Sequence, residues 1–231
     1  MAAFGTATTW TQGESVHIEI LVEDLAGKKA LDILVPKILG DEEFAFRVHA
    51  YRGIGRVPKN MRDAADASKR ILLTNLPRLL KGYGRAFRGY SPAYRAAVVL
   101  VCDIDDRNPQ VFLRELRSIL AACNPKPEAH FCLAIEEGEA WFLGDLAAIK
   151  SAYPNAKSDV LNAYVNDSIC GTWETLADAV YNGSAKALSR KGWQSVGAEK
   201  SRWADAISPR MDVKHNASPS FHSFRDKMRS L

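Results

Sequence analysis

The chain has 231 residues, is 47% hydrophobic and 25% charged, and carries a formal net charge of +4, which suits one sizeable core, or one domain plus a small appendage, in a soluble globular protein. No apolar run approaches the roughly 20 residues that cross a bilayer, and the start "MAAFGTATTWTQGESVH" has no basic segment followed by an apolar one, so neither a membrane span nor a signal peptide is expected. Cys102, Cys123, Cys132 and Cys170 form no C-x-x-C pair, which argues against zinc and for reduced thiols in a cytoplasmic protein.

The elements follow from hydrophobic period. "SVHIEILVED" alternates, then runs apolar and ends on acids, which predicts a strand over 16–22. "GKKALDILVPKILG" carries an apolar stripe at Leu31, Leu34, Val35, Ile38 and Leu39 and closes on Gly40, so it predicts a helix, kinked or restarted at Pro36. "EFAFRVHAY" alternates as a strand does, and the glycines of "YRGIGRVP" predict a loop. A long helical pattern runs from an N-cap at Asn60 through "LLTNLPRLLKGYG", with Pro77 as a point of breakage. "AAVVLVCDI" is apolar on both faces, the mark of a central parallel strand. Asn108 and Pro109 open the next helix as N-cap and first residue. "AHFCLAI" predicts a short strand, and "EEGEAWFLGDLAAIKSAY" a helix apart from Gly138.

Strand and helix therefore alternate four times, which predicts an α/β fold: a mainly parallel sheet of about four strands with helices on both faces. The core is expected over 1–150. Residues 151–231 read as short helices with three of the five tryptophans, Trp173, Trp193 and Trp203, and so as an α-helical extension packed on the core.

Charge is uneven. From Arg47 to Arg95 there are twelve Lys or Arg against Asp63 and Asp66, a net of +10, whereas Val101 to Asp145 carries nine acids against four bases, a net of −5. Tyr51, Tyr83, Phe87, Tyr90 and Tyr94 are interleaved with the basic residues. Bases on such rings, phosphates on Arg52, Arg56, Lys59 and Arg62, and plain solvation of basic helices are all open readings.

The acids point more sharply. Function in parallel sheets collects at the carboxyl ends of the strands. Glu23 and Asp24 follow the first strand, Asp103, Asp105 and Asp106 the central one, and Glu136, Glu137 and Glu139 the last, so three clusters are expected at one edge. Hard oxygen ligands suit Mg²⁺ or Mn²⁺, with Asp103 and Asp105 as ligands and Glu23 as a third ligand or a base. Glu136 and Glu139, three apart, are placed to share a helical face and a second ion. Asp24 is a candidate additional ligand. For each acid, helix capping or a simple ion pair is the alternative. The histidines show no ligand spacing, and no P-loop or G-x-S-x-G turn is present.

A Glu after the first strand and a D-x-D after a later one resemble the Toprim domain of topoisomerases, primases and overcoming-lysogenization-defect nucleases. "ILVED…LVPKILG", "VVLVCDIDD", "AIEEGEAWFLGD" and "KSRWADAISPRMDVKHNASPSFHSF" are similar, in order, to signatures of a bacterial Toprim-like family of unknown function linked with anti-phage defence and ATPase partners. The resemblance spans about 18 to 226. It implies Mg²⁺-dependent cleavage of DNA or RNA, with Glu23, Asp103 and Asp105 catalytic, Glu137 and Glu139 as further metal ligands, and a partner ATPase. The chain departs from the family's V-E-G at Val22-Glu23-Asp24. The alternative is a non-catalytic subunit that assembles on an ATPase or toxin through "NASPSF", residues that would otherwise close the core with Phe221 and Phe224.

Overall fold

Four parallel strands, β1 (Val16–Val22), β2 (Phe44–Ala50), β3 (Arg95–Asp103) and β4 (Glu128–Ala134), form one sheet in the order β2-β1-β3-β4. The computed structural model describes residues 16–40, 43–58, 69–91, 94–168 and 171–231. The crossovers are α1 (Leu25–Leu39), α2 (Leu72–Arg88) and α3 (Pro109–Ala121). After β4 come α4 (Glu139–Leu143), α5 (Leu146–Ala152), α6 (Ser158–Ala163), α7 (Thr172–Val180), α8 (Ser184–Ser189), α9 (Trp193–Ile207) and α10 (Pro219–Arg229). The α/β class and the parallel sheet are as expected.

Period-2 alternation divides the sheet's two faces. Ile18, Ile20, Val22, Val99 and Val101 point into a core completed by α1 and the helices from α4 onward, while Leu21, Val98, Leu100 and Cys102 meet α2 and α3 on the other face. The helices after residue 150 thus share the apolar core of α1. Trp203, Phe221 and Phe224 are each at most 1% exposed within it.

Local expectations fare unevenly. Asn108 caps α3, its side chain accepting from the N–H groups of Gln110 and Val111 at 3.0 and 3.1 Å. Pro36 does not restart α1, which runs unbroken to Leu39. Pro36 lies on the exposed side together with Asp32, the residue whose carbonyl loses its donor, so water can serve in its place. Pro77 likewise sits inside α2. That helix begins at Leu72 behind Ile71, not at Asn60; Asn60 lies outside the described residues, as does Cys170. Cys102, Cys123 and Cys132 are free, buried thiols. No described helix is long and apolar enough to cross a membrane.

In the segment "NASPSF", Asn216, Ser218, Ser220 and Phe221 are buried while Ala217 and Pro219 face outward. Phe224 stacks on Trp141 at 4.9 Å between centroids and Phe221 meets it edge-on at 5.6 Å. Trp141 Nε1 donates to Ser220 Oγ at 3.0 Å, and Asn216 Nδ2 donates to the Trp141 carbonyl at 2.7 Å. A β-carbon on Gly144 would come within 2.2 Å of Asn216 Oδ1, so glycine is required where the two segments meet. A surface docking role for these residues is therefore corrected: they close the core and brace α4 from behind.

Candidate functional site

Because all four strands run the same way, they all finish at one edge. There β1, β3 and β4 are neighbours, so the three acidic segments that follow them become adjacent. Val22 pairs with Val101, and Asp103 with Ala134, which sets the ends of the strands side by side. Asp24 caps α1, accepting from the Gly27 N–H at 2.7 Å. A β-carbon on Gly27 would fall 2.6 Å from Val22 Cγ2, so only glycine lets α1 leave β1 this closely. The loop after β2 folds across the end of β1: Tyr51 N–H donates to the Val22 carbonyl at 3.0 Å and Gly53 N–H to that of Glu23 at 3.1 Å.

Beyond β3 and β4 the backbone is bent against its preference. Asp105 (φ 51°) and Glu136 (φ 58°) are both left-handed and face each other across an antiparallel bridge, with Asp105 N–H donating to the Glu136 carbonyl at 3.0 Å. Each such residue costs on the order of 1 kcal/mol or more. The bend sends the Asp105 side chain outward, 52% exposed and 3.4 Å from Arg107 Nη1. It sends Glu136 toward α7, where the carboxylate accepts the N–H groups of Gly171 and Thr172, both at 2.9 Å, and the Thr172 hydroxyl. Glu137 accepts the next one, Trp173 N–H, at 3.1 Å. These acids satisfy the open donors of a helix start, and that helix is α7. Glu136 does not share a face with Glu139, because α4 starts only after Gly138.

Glu23, Asp24, Asp103 and Glu139 line one cavity of about 50 Å³, together with Lys200 from α9; its floor is apolar, including Val22, Val101, Ala134 and Trp141. That is room for a few water-sized groups. Lys200 Nζ stands 3.0 Å from Glu139 Oε2 and 3.5 Å from Glu137 Oε1, with its side chain 14% exposed. Among the described residues no ion pair reaches Glu23 or Asp103. Glu23 Oε2 is shut off from solvent and has no hydrogen-bond partner.

Burial, with the charges of Asp24 and Asp105, pushes Glu23 up to about 7. Burial also pushes Glu137 up to about 7 against the pull of Lys200. Asp103 is held well above the carboxylate range by burial and by the charge of Glu23, and Glu139 is raised by burial although Lys200 opposes it. For Lys200 burial works against the charge, but Glu139, Glu137 and Asp103 outweigh it and hold the ammonium above its usual range. The cluster is thus short of positive charge.

Of the candidate residues, Glu23, Asp24, Asp103 and Glu139 meet in this cavity, and Glu137 touches it through Lys200. Asp105 is not in it: turned outward beside Arg107, it lines a neighbouring open cleft with Asp106, Glu136, Glu137, Trp173 and Glu174. Arg52 and Arg56 are exposed on the loop that crosses β1, and the Ile54 N–H of that loop donates to the Glu23 carboxylate. Lys59 and Arg62 lie outside the described residues. Tyr83, Phe87, Tyr90 and Tyr94 pack on one another at 5.3 to 5.6 Å between successive ring centroids. Lys200 is the residue sequence reasoning misses. Its signal is a lysine on the stripe formed by Val196, Trp203, Ala204 and Ile207, the buried positions of α9.

The donor set, hard carboxylate oxygens with one orphaned and buried, fits a divalent ion that takes one or two carboxylates and keeps its water. Among the described residues no three His, Cys, Asp or Glu side chains form a ready-made metal cage. Comparison with protein-family models, with curated proteins and with solved structures finds no match.

Proposed function

We propose that the chain is a Mg²⁺- or Mn²⁺-dependent nuclease that hydrolyses phosphodiester bonds of DNA or RNA. The observation that carries this reading is the excess of half-buried carboxylate at the strand ends, with Glu23 and Asp103 left without a cation beside the exposed arginines of the next loop. A phosphate brought to this edge would be repelled unless a cation stood between.

Glu23 and Asp103 would hold the ion, and Asp105 would act from the neighbouring cleft; Glu137 and Glu139 are already engaged by Lys200. A bound divalent ion would polarise the scissile phosphate and lower the pKa of an attacking water. Where Asp103 alone holds the ion, Glu23 would instead be the base that takes the water's proton, a role suited by a carboxyl pushed up to about 7 in the ion-free protein. Arg52 and Arg56 would grip the phosphate backbone. The resemblance to Toprim-like proteins supports the same chemistry, and it further suggests a cytoplasmic effector of anti-phage defence working with an ATPase.

The test is cleavage of DNA and RNA by Asp103→Ala combined with Asp105→Ala. Cleavage is lost while circular dichroism is unchanged; full cutting by the variant refutes the reading. A second reading, a non-catalytic Toprim-like subunit of an ATPase or toxin, is favoured by Lys200 bridging Glu137 and Glu139. It predicts no cutting and no Mn²⁺ binding by the wild-type chain, together with stable capture of the ATPase.

A further inference from the structure

Lys200 comes from α9, far along the chain from the strand ends, and reaches the site because Val196, Trp203 and Ala204 anchor that face of the helix in the core. Its ammonium lies 3.0 Å from Glu139 and 3.5 Å from Glu137. Glu139 lines the same cavity as Glu23 and Asp103, so with Lys200 removed it and Glu137 would offer hard oxygen donors to a second divalent ion beside the first. A lysine is a compact point charge on a long stem, able to enter where a hydrated ion would otherwise sit. We infer that Lys200 takes the place of a second cation, so that the site holds one divalent ion, at Glu23 and Asp103. The inference rests on the metal-dependent reading above. Lys200 is in this sense a positioning residue: it keeps Glu137 and Glu139 together as an ion pair and leaves Glu23 and Asp103 as the open end.

The charge pattern agrees. Lys200 also acts on Asp103 and Glu23, yet neither pairs with it among the described residues. One lysine therefore compensates one end of the cluster and leaves the other in need of a cation.

The experiment counts Mn²⁺ ions bound per full-length chain by electron paramagnetic resonance of the free ion. Wild type is expected to bind one. Two ions in wild type would overturn the role given to Lys200 and leave the metal-dependent reading standing; none would overturn both. Lys200→Met frees Glu137 and Glu139, so its count is expected to rise to two, and Lys200→Arg returns it to one. A count that stays at one or falls to none in a folded Lys200→Met protein would overturn the inference. Should that variant not fold, the wild-type count still decides.

Discussion

Glu19 lies within β1 and Glu23 one residue past its end, so two glutamates four positions apart on one extended segment find opposite fates. Glu19 is 8% exposed, yet its two oxygens meet His17 Nε2 at 2.8 Å and His49 Nε2 at 2.5 Å. Burial pushes Glu19 up, but the hydrogen bonds and charges of His49 and His17 win, and its carboxyl sits below the ordinary value. Glu23 keeps an orphaned, buried oxygen, and burial with the charges of Asp24 and Asp105 pushes it up to about 7. Burial raises both carboxyls; the histidine partners present at Glu19 and missing at Glu23 decide the sign of the outcome.

The pair offers a direct way to break that distinction. Glu23→Gln is expected to lower cleavage by about 10²- to 10⁴-fold, the usual contribution of a positioned base. Glu19→Gln should leave cleavage near wild type and lower stability by about 1–3 kcal/mol through its buried unmet groups. Rate assays and denaturant melts of both variants check this; equal losses of rate would erase the contrast.

A second effect concerns pH. Ordinary glutamates titrate near 4.5, whereas Glu23 and Glu137 titrate at about 7 in the folded chain. Between these values the folded protein holds protons that the unfolded chain has released, so stability without metal falls as pH rises through that window. Glu19, lowered, has its window below 4.5 and does not offset this. Thermal melts should be lower at about pH 8 than at about pH 5.5. Added Mn²⁺ should remove the difference, because metal binding competes with protons for the same oxygens.

The smallest expected effect sits on the loop beyond β2. Arg52→Ala with Arg56→Ala should weaken nucleic-acid binding without regard to sequence. It should also reduce the slope of log affinity against log salt by about 1.4–1.8, since each lost phosphate contact accounts for roughly 0.7–0.9. Titrations at several salt concentrations measure it, and an unchanged slope would remove these arginines from the interface.

The parallel sheet is legible in the chain because "VVLV" is apolar on both faces and strands alternate with helices, and the strands' shared direction alone brings Glu23 and Asp103 together. The stripe of α9 marks Lys200 only as a lysine on the buried face; that it meets Glu137 and Glu139 depends on how α9 packs on α1, which no local period records. Glu136 and Glu137 read as helix-start acids, but the helix they serve, α7, begins beyond α4, α5 and α6, and neither propensity nor spacing crosses that gap. "EAWFLGD" and "NASPSF" stand out as distinctive segments, while their packing against each other is visible only through Trp141, Asn216 and Gly144. Proline rules over-predict breaks at Pro36 and Pro77 because tertiary packing overrides a local cost of about 3 kcal/mol.

The packing of Trp141 under Phe221 and Phe224 also bears on the order of events during synthesis. A chain emerging from the ribosome presents the strands and their acidic ends before the rings that seat α4 and the lysine that faces Glu139, which lie further along the sequence. The nascent protein thus carries its carboxylates before it receives the brace that seats α4 beneath them.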